Sequence, residues 1–251
     1  MPDSMQLLID LHLPADRQGP GSDSSTEQAI ALAGLGSDTP LRIADIGCGT
    51  GASSLVLARQ LDAQITAVDF LAPFLDELVV RARAQALDER IDPLCASMEQ
   101  LPFEQEQYDV IWSEGAVYNI GFEKGVADWY HYLKPGGVMV LSEISWLTAS
   151  RPATLEAHWT NAYPEIDTVS NKIAVLERHG YSPLAHFVLP DDCWMQNYYT
   201  PMANRFEAFL AEHADDEAAQ AIVEGEKAEM ALYEQYKHQF GYVMYIARKP
   251  A

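Results

Sequence analysis

From about residue 26 onward, short apolar runs alternate with stretches in which apolar residues recur at helical spacing. Short runs suit strands covered on both faces and the helical spacing suits amphipathic helices, so their alternation predicts a parallel sheet with helices on both sides. A helix is expected over Thr26 to Leu35, then a buried strand over Leu41 to Ile46, a glycine-rich turn, and a helix with Leu55, Ala58 and Leu61 on one face. "AQITAVDF" reads as a second strand ending at Asp69, and Leu71, Phe74, Leu75, Leu78, Val79 and Ala82 mark the helix after it. A third strand is expected near Ile91 to Ala96. A fourth, at Asp109 to Trp112, opens into a loop over Ser113 to Gly121. After a helix around Glu123 to Leu133, "LKPGG" predicts a turn, with Pro135 stopping the helix and Gly136 and Gly137 free to take positive φ. "VMVLSEI" is the fifth strand.

Beyond Ile144 the pattern loosens. "SWLTASRPATLEAHWTNAYPEID" reads as an insertion with one short helix. A helix at Val169 to His179 and a strand at Leu184 to Leu189 follow, then helical stretches at Pro201 to His213 and Asp216 to His238. The last strand alternates Tyr242, Met244 and Ile246 against Val243, Tyr245 and Ala247. One domain over 1–251 is expected, with a core over about 26–145, 169–190 and 240–249 and insertions over about 1–25, 146–168 and 191–239.

Composition narrows the function. The 251 residues are 48% apolar, ample for a buried core, and 37 acidic against 16 basic side chains give a net charge of -21. That field disfavours nucleic acid and anionic membranes as partners. Asp3 and Asp10 stand where a secretory signal would be basic and then apolar, and no segment is long and apolar enough to span a membrane. Cys48, Cys95 and Cys193 are odd in number and far apart, which fits reduced thiols in the cytoplasm. No Cys or His cluster has metal-ligand spacing, so no metal is expected.

The chemistry concentrates in "IADIGCGTG" at 43–51. Glycines between a strand and a helix let the backbone turn sharply and approach a ligand. Gly47, Gly49 and Ala52 fit the G-x-G-x-x-G/A fingerprint of a dinucleotide such as NAD(P), whereas Gly47, Gly49 and Gly51 fit the tighter G-x-G-x-G turn of a nucleotide-binding methyltransferase. Asp45, at the strand end, is unwelcome near a pyrophosphate and suits the ammonium and sulfonium of S-adenosylmethionine. Asp69 would hold a ribose diol in either cofactor; its alternative role is to cap the following helix.

Four further segments, "ITAVDF", "ASMEQLPF", "YDVIWSEG" and "LKPGGVMVLSE", follow the glycine turn in the order and spacing of class I S-adenosylmethionine-dependent methyltransferases, which the chain resembles over about 26–145. "SEGAVYNIGF", with "GPGS", "AYPEI" and "HFVLP", resembles a bacterial subgroup of small-molecule methyltransferases. The resemblance implies an α/β Rossmann-like fold: a doubly wound, seven-stranded, mostly parallel sheet in the order 3-2-1-4-5-7-6, with the last strand antiparallel and the insertions forming a helical, aromatic lid. It further implies Asp45, Gly47, Gly49 and Gly51 around the methionine part of the cofactor, Asp69 on the ribose, and Phe70 beside the adenine. Ser97 stands where many relatives have an Asp for the adenine amino group, with Met98 next.

In an open parallel sheet the carboxyl ends of the strands flank the ligand crevice. Glu114, Tyr118 and Asn119 after the fourth strand are therefore the expected catalytic groups, able to take or orient a proton of the acceptor. Glu143 and Trp146 after the fifth, with Trp194 and Tyr198 in the lid, are the expected acceptor-binding residues, since aromatic rings enclose aromatic or cationic groups. Each has a structural alternative: Glu114 as a loop anchor, Asn119 as a turn residue, Glu143 pointing to solvent, the rings packing the lid on the core. The expected partner is a small neutral or cationic acceptor, with a homodimer as the assembly to test for. An NAD(P)-dependent oxidoreductase and a non-catalytic S-adenosylmethionine-binding protein are the competing readings.

Overall fold

The computed structural model describes residues 4–36 and 39–251. Met1 to Asp3, the first residues of the expected amino-terminal lid and including the Asp3 weighed against a signal sequence, lie outside the described residues. In chain order the elements are α1 (Ser4–His12), α2 (Asp23–Ala33), β1 (Leu41–Ile46), α3 (Ala52–Gln60), β2 (Ala63–Asp69), α4 (Ala72–Ala84), β3 (Ile91–Cys95), β4 (Tyr108–Glu114), α5 (Phe122–Trp129), β5 (Leu133–Trp146), α6 (Ala153–Ala162), β6 (Asp167–Thr168), α7 (Val169–Arg178), β7 (Ser182–Val188), α8 (Asp191–Trp194), α9 (Thr200–Ala203), α10 (Phe206–Glu212), α11 (Glu217–Tyr236) and β8 (Phe240–Arg248).

The sheet runs β3-β2-β1-β4-β5-β8-β7. β1 to β5 pair in parallel, and β8 lies antiparallel between β5 and β7. With β7 and β8 counted as sixth and seventh, this is the expected order; the two-residue β6, pairing with the end of β5 at Ser145 and Trp146, is an addition. Strand direction reverses its winding between β1 and β4, and such a switch point opens the crevice where open α/β sheets take ligands. Alternation puts Ile43, Val110, Trp112, Met244 and Ile246 in one core. Ala44, Ile111, Met139, Val243 and Tyr245 lie in the other, beneath α5 and α7.

Three expectations need correction. β4 continues through Ser113 and Glu114, which pair with Leu141 and Ser142 of β5, so these two residues are strand rather than loop. "LKPGG" lies inside β5 as an irregularity: Leu133 pairs with Tyr108 and Val138 with Val110, and only Gly136 takes a positive φ, +79°. Gly137 has no such freedom to exploit; a Cβ there would lie 2.8 Å from the Lys134 carbonyl. The helix before it ends at Trp129, short of Leu133, and one turn of 3₁₀ helix over Tyr130–Tyr132 leads into the strand. The stretch 191–203 is also more ordered than the sequence suggests, since α8 runs into a π-helical turn at Met195–Tyr199 and then α9.

Candidate functional site

The chain leaves β1 through a turn in which Gly47, Gly49 and Gly51 take φ of +76°, +55° and +87°. Torsion favours glycine at all three positions, and space adds to it most firmly at Gly47, where the neighbour is a methyl on the backbone rather than the end of a flexible side chain. A Cβ would lie 2.3 Å from the Ala116 Cβ at Gly47, 2.3 Å from Gln18 Oε1 at Gly49 and 2.0 Å from Leu78 Cδ1 at Gly51. The turn is tied down by its own amides: Gly47 N–H and Cys48 N–H donate to the Val68 carbonyl at 2.8 and 2.9 Å, and Gly49 N–H to Asp69 Oδ2 at 2.9 Å.

Asp45 lies beneath this turn, fully buried, where its Oδ2 accepts from the Ser53 and Ser54 hydroxyls at 2.7 and 2.6 Å. Its Oδ1 has no partner. Burial raises the Asp45 carboxyl to about 7 against the opposing pull of the two serines. Asp69 serves the turn and the next helix together: its Oδ1 accepts from Leu71 N–H at 2.9 Å, so the capping role exists beside whatever else it does. Phe70 follows with 66% of its surface exposed, at the strand end beside the turn. Ser97 Oγ accepts from Glu99 N–H at 3.3 Å, and the Met98 carbonyl accepts from Trp129 Nε1 at 3.2 Å. The Met98 methyl comes within 3.4 Å of a Cβ placed on Gly47, so Met98 borders the turn.

The residues that the sequence reading missed come from the amino-terminal segment. Thr50 N–H donates to Gln18 Oε1 at 2.9 Å, and Arg81 donates to the Ala15 and Asp16 carbonyls and to Thr50 Oγ1. Arg17 Nη1 meets Glu114 Oε2 at 3.2 Å, while Glu114 Oε1 accepts from Thr26 Oγ1 at 2.7 Å and Trp112 Nε1 at 2.9 Å. Glu114, expected as a proton acceptor, thus has both oxygens engaged and a guanidinium beside it. Its geometry is that of an anchor which fastens the segment before α2 to the end of β4. No sequence signal announced this, because Arg17 and Glu114 are brought together only by the fold.

Asn119 is a turn residue in fact: its side-chain amide donates to the Ala116 carbonyl at 2.9 Å. Tyr118 is different. Its ring is 43% exposed and edge-on to Tyr163 at 6.2 Å. Glu143 does not reach solvent; it is fully buried, with Lys172 Nζ 3.4 Å from Oε1 and no partner on Oε2. Lys172 lies over the Phe122 ring at 4.4 Å and the Tyr163 ring at 5.2 Å. Burial raises Glu143 to about 7 even with this cation present. Trp146 is buried under Arg151, whose guanidinium is 4.1 Å from the ring, and Trp194 stacks on Tyr233 at 4.3 Å. Both rings pack the cover onto the core. Tyr198 is partly exposed and stacks on His12 at 6.3 Å.

The raised carboxyls fix a pH dependence. A group more easily protonated in the folded than in the unfolded state favours folding most below its ordinary pKa, and that contribution is lost as pH rises through the folded value. His12, lowered to about 4 by burial and then by Arg205, acts in the opposite sense but only below its ordinary 6.5. Between pH 6.5 and 8 the carboxyls of Asp45, Glu143 and Glu226, each raised to about 7, therefore dominate, and the melting temperature is expected to fall by about 2–4 °C per group. Asp45→Asn and Glu143→Gln should each flatten the profile in scanning calorimetry, and an unchanged slope would contradict the assignment.

A doubly wound sheet with this strand order, a three-glycine turn at its switch point and an acidic residue at the end of the next strand is the arrangement expected of a class I methyltransferase domain. Residues 43–137 match the methyltransferase domain family. The demethylmenaquinone methyltransferase of Clavibacter sepedonicus is 34% identical over 105 residues, 41% of either chain. The 27-O-demethylrifamycin SV methyltransferase of Amycolatopsis mediterranei is 25% identical over 248 residues, 91% of this chain and 85% of that one. A methyltransferase of Geobacter sulfurreducens, solved in complex with S-adenosyl-L-homocysteine, superposes with a TM-score of 0.83 at 17% identity, covering 100% of this chain and 99% of that one. The chain spans about half the length of the first curated relatives it matches. Over residues 43–137, and in its fold, the chain is similar to S-adenosylmethionine-dependent methyltransferases. The matched segment includes the glycine turn at 47–51 and Ala52 after it. Among the described residues no helix is long and apolar enough to cross a membrane.

Proposed function

We propose that this protein transfers a methyl group from S-adenosylmethionine to a small-molecule acceptor. The observation that carries the reading is the turn at 47–51, where three glycines in the left-handed region sit above a buried carboxylate with an unpartnered oxygen. That donor set suits a cofactor end bearing an ammonium and a sulfonium, while the exposed Phe70 ring offers a face for the adenine and Asp69 an acceptor for the ribose hydroxyls. Gly47, Gly49 and Gly51 keep side chains out of the cofactor's way; Ser97 and Met98 would border its base. Bound there, the cofactor supplies an electrophilic methyl group. The protein's part is to hold the acceptor in line with it and to exclude water.

Tyr118, 43% exposed in the segment after β4, is the group assigned to orient an acceptor, and Glu114 and Asn119 hold that segment. Arg17 and Gln18 belong to the cover over the cofactor. The reading treats 1–251 as a single domain whose insertions 1–25, 146–168 and 191–239 enclose the acceptor, acting in the cytoplasm without nucleic acid or membrane. Light scattering checks whether it works as a homodimer.

Calorimetric binding of S-adenosylhomocysteine, with NAD as control, followed by a labelled-methyl assay over amines, phenols, thiols and carboxylates, tests the proposal. Cofactor binding with transfer to one class is expected. Binding of NAD alone would return the dinucleotide reading, and tight cofactor binding with no transfer to any class would make the protein a non-catalytic binder.

A further inference from the structure

A glycine turn that opens a helix is a ready seat for a phosphate, provided its N–H groups are left to donate to the ligand. Between Gly47 and Gly51 every amide is already committed. Gly47 and Cys48 donate to the Val68 carbonyl, Gly51 to the Cys48 carbonyl at 2.9 Å, Gly49 to Asp69 Oδ2, and Thr50 to Gln18 Oε1 at 2.9 Å. The first turn of α3 already has a carboxylate beneath it, since the Ser53 and Ser54 hydroxyls donate to buried Asp45.

Four of these amides find acceptors in β2 or in the turn itself, whereas the partner of Thr50 stands 32 residues earlier in the chain. Gln18 is held in one orientation. Its Nε2 donates to the His12 and Ala15 carbonyls at 3.3 and 3.1 Å, and its Oε1 accepts from the Thr50 hydroxyl at 3.1 Å as well as from the amide. A flipped side chain would set oxygen against two carbonyls and a donor against the Thr50 N–H. Gln18 Oε1 also fills the space over Gly49, where a Cβ would lie 2.3 Å from it. The neighbouring guanidiniums are spent elsewhere: Arg81 on Glu77, the Ala15 and Asp16 carbonyls and the Thr50 hydroxyl, and Arg17 on Glu114 and Asp23.

We infer that Gln18 is a specificity-determining residue: seated on the Thr50 amide, it takes the donor a phosphate would need, so the turn refuses phosphorylated adenine nucleotides and admits adenosine ligands that carry no phosphate. ADP and NAD share the adenosine group of S-adenosylmethionine, and recognition of that group alone does not separate them. Asp69, on the adjoining amide, works in the same direction, because a carboxylate repels a phosphate. This rests on the methyltransferase reading in one respect: the phosphate-free ligand is the cofactor of that reading.

The test is calorimetric titration of the full chain with S-adenosylhomocysteine, adenosine, ADP and NAD. The wild-type protein is expected to bind adenosine about tenfold or more tightly than ADP or NAD, and S-adenosylhomocysteine more tightly than adenosine. Gln18→Ala frees the Thr50 amide and the space over Gly49; it should narrow the adenosine-to-ADP ratio about threefold or more, with the gain fading as salt is raised. Gln18→Met, which keeps the bulk and gives up the acceptor, should move the ratio in the same direction. A purely structural role would weaken every ligand alike. ADP or NAD binding the wild-type protein as tightly as adenosine overturns the inference, and so does an unchanged ratio in Gln18→Ala, or in Gln18→Met where melting curves show the alanine variant unfolded. Adenosine binding without S-adenosylhomocysteine binding would overturn the cofactor reading alone, and the adenosine-to-ADP ratio would still decide the role of Gln18. Binding of neither would overturn both.

Discussion

Alanine at Gly47 is expected to lower the unfolding free energy by roughly 2–5 kcal/mol and to abolish S-adenosylhomocysteine binding in calorimetry. Two costs combine. A side chain at φ +76° is strained in itself, and its Cβ would lie 2.3 Å from the Ala116 Cβ, a methyl on a short stem that cannot swing away. Relief requires the turn after β1 and the loop after β4 to part at the switch point of the sheet, where the cofactor site lies. Gly34→Ala separates the two costs, because Gly34 shares a positive φ of +66° but has nothing within 4 Å of the added carbon. It should cost only about 1–2 kcal/mol and leave cofactor binding intact. Equal effects at both positions would show that torsion alone matters at Gly47.

Lys172→Met should destabilise the protein by roughly 3–5 kcal/mol at pH 8, the expected result of leaving a buried carboxylate without its cation. Lys172 and Glu143 are both almost wholly buried, and the lysine also rests on the Phe122 and Tyr163 rings. The penalty should shrink at pH 5, where Glu143, already raised to about 7 and raised further without Lys172, folds in its neutral form. Lys172→Met combined with Glu143→Gln should recover most of the loss, since a neutral pair carries no uncompensated charge. Denaturant titrations at the two pH values check this, and a pH-independent penalty would mean that lost packing outweighs charge.

The parallel strands were legible because each is a short apolar run ending at a recognisable turn, and the alternation at 240–248 correctly divides the two faces of β8. Boundaries failed where backbone geometry is irregular. "LKPGG" carries turn residues, yet its pairing on either side of the irregularity keeps it in β5. In the site, the glycines were legible because one local segment holds the whole pattern. Glu114 was not, since its partners Arg17 and Thr26 come from distant segments. Lys172 had a signal that went unused: it is a charged residue on the apolar stripe of an amphipathic helix.

The anchoring of the segment before α2 also bears on the order in which the molecule forms. Arg17 finds its carboxylate 97 residues later in the chain, and Ser22 meets the Cys193 thiol across 171. Contacts so distant along the chain close large loops, and they gain nothing until the strands that present them exist. The segment before α2 is therefore among the last parts of the fold to settle. Until it does, the glycine turn lacks Gln18, so hydrogen exchange during refolding should protect Ile43 and Val110 before Thr50.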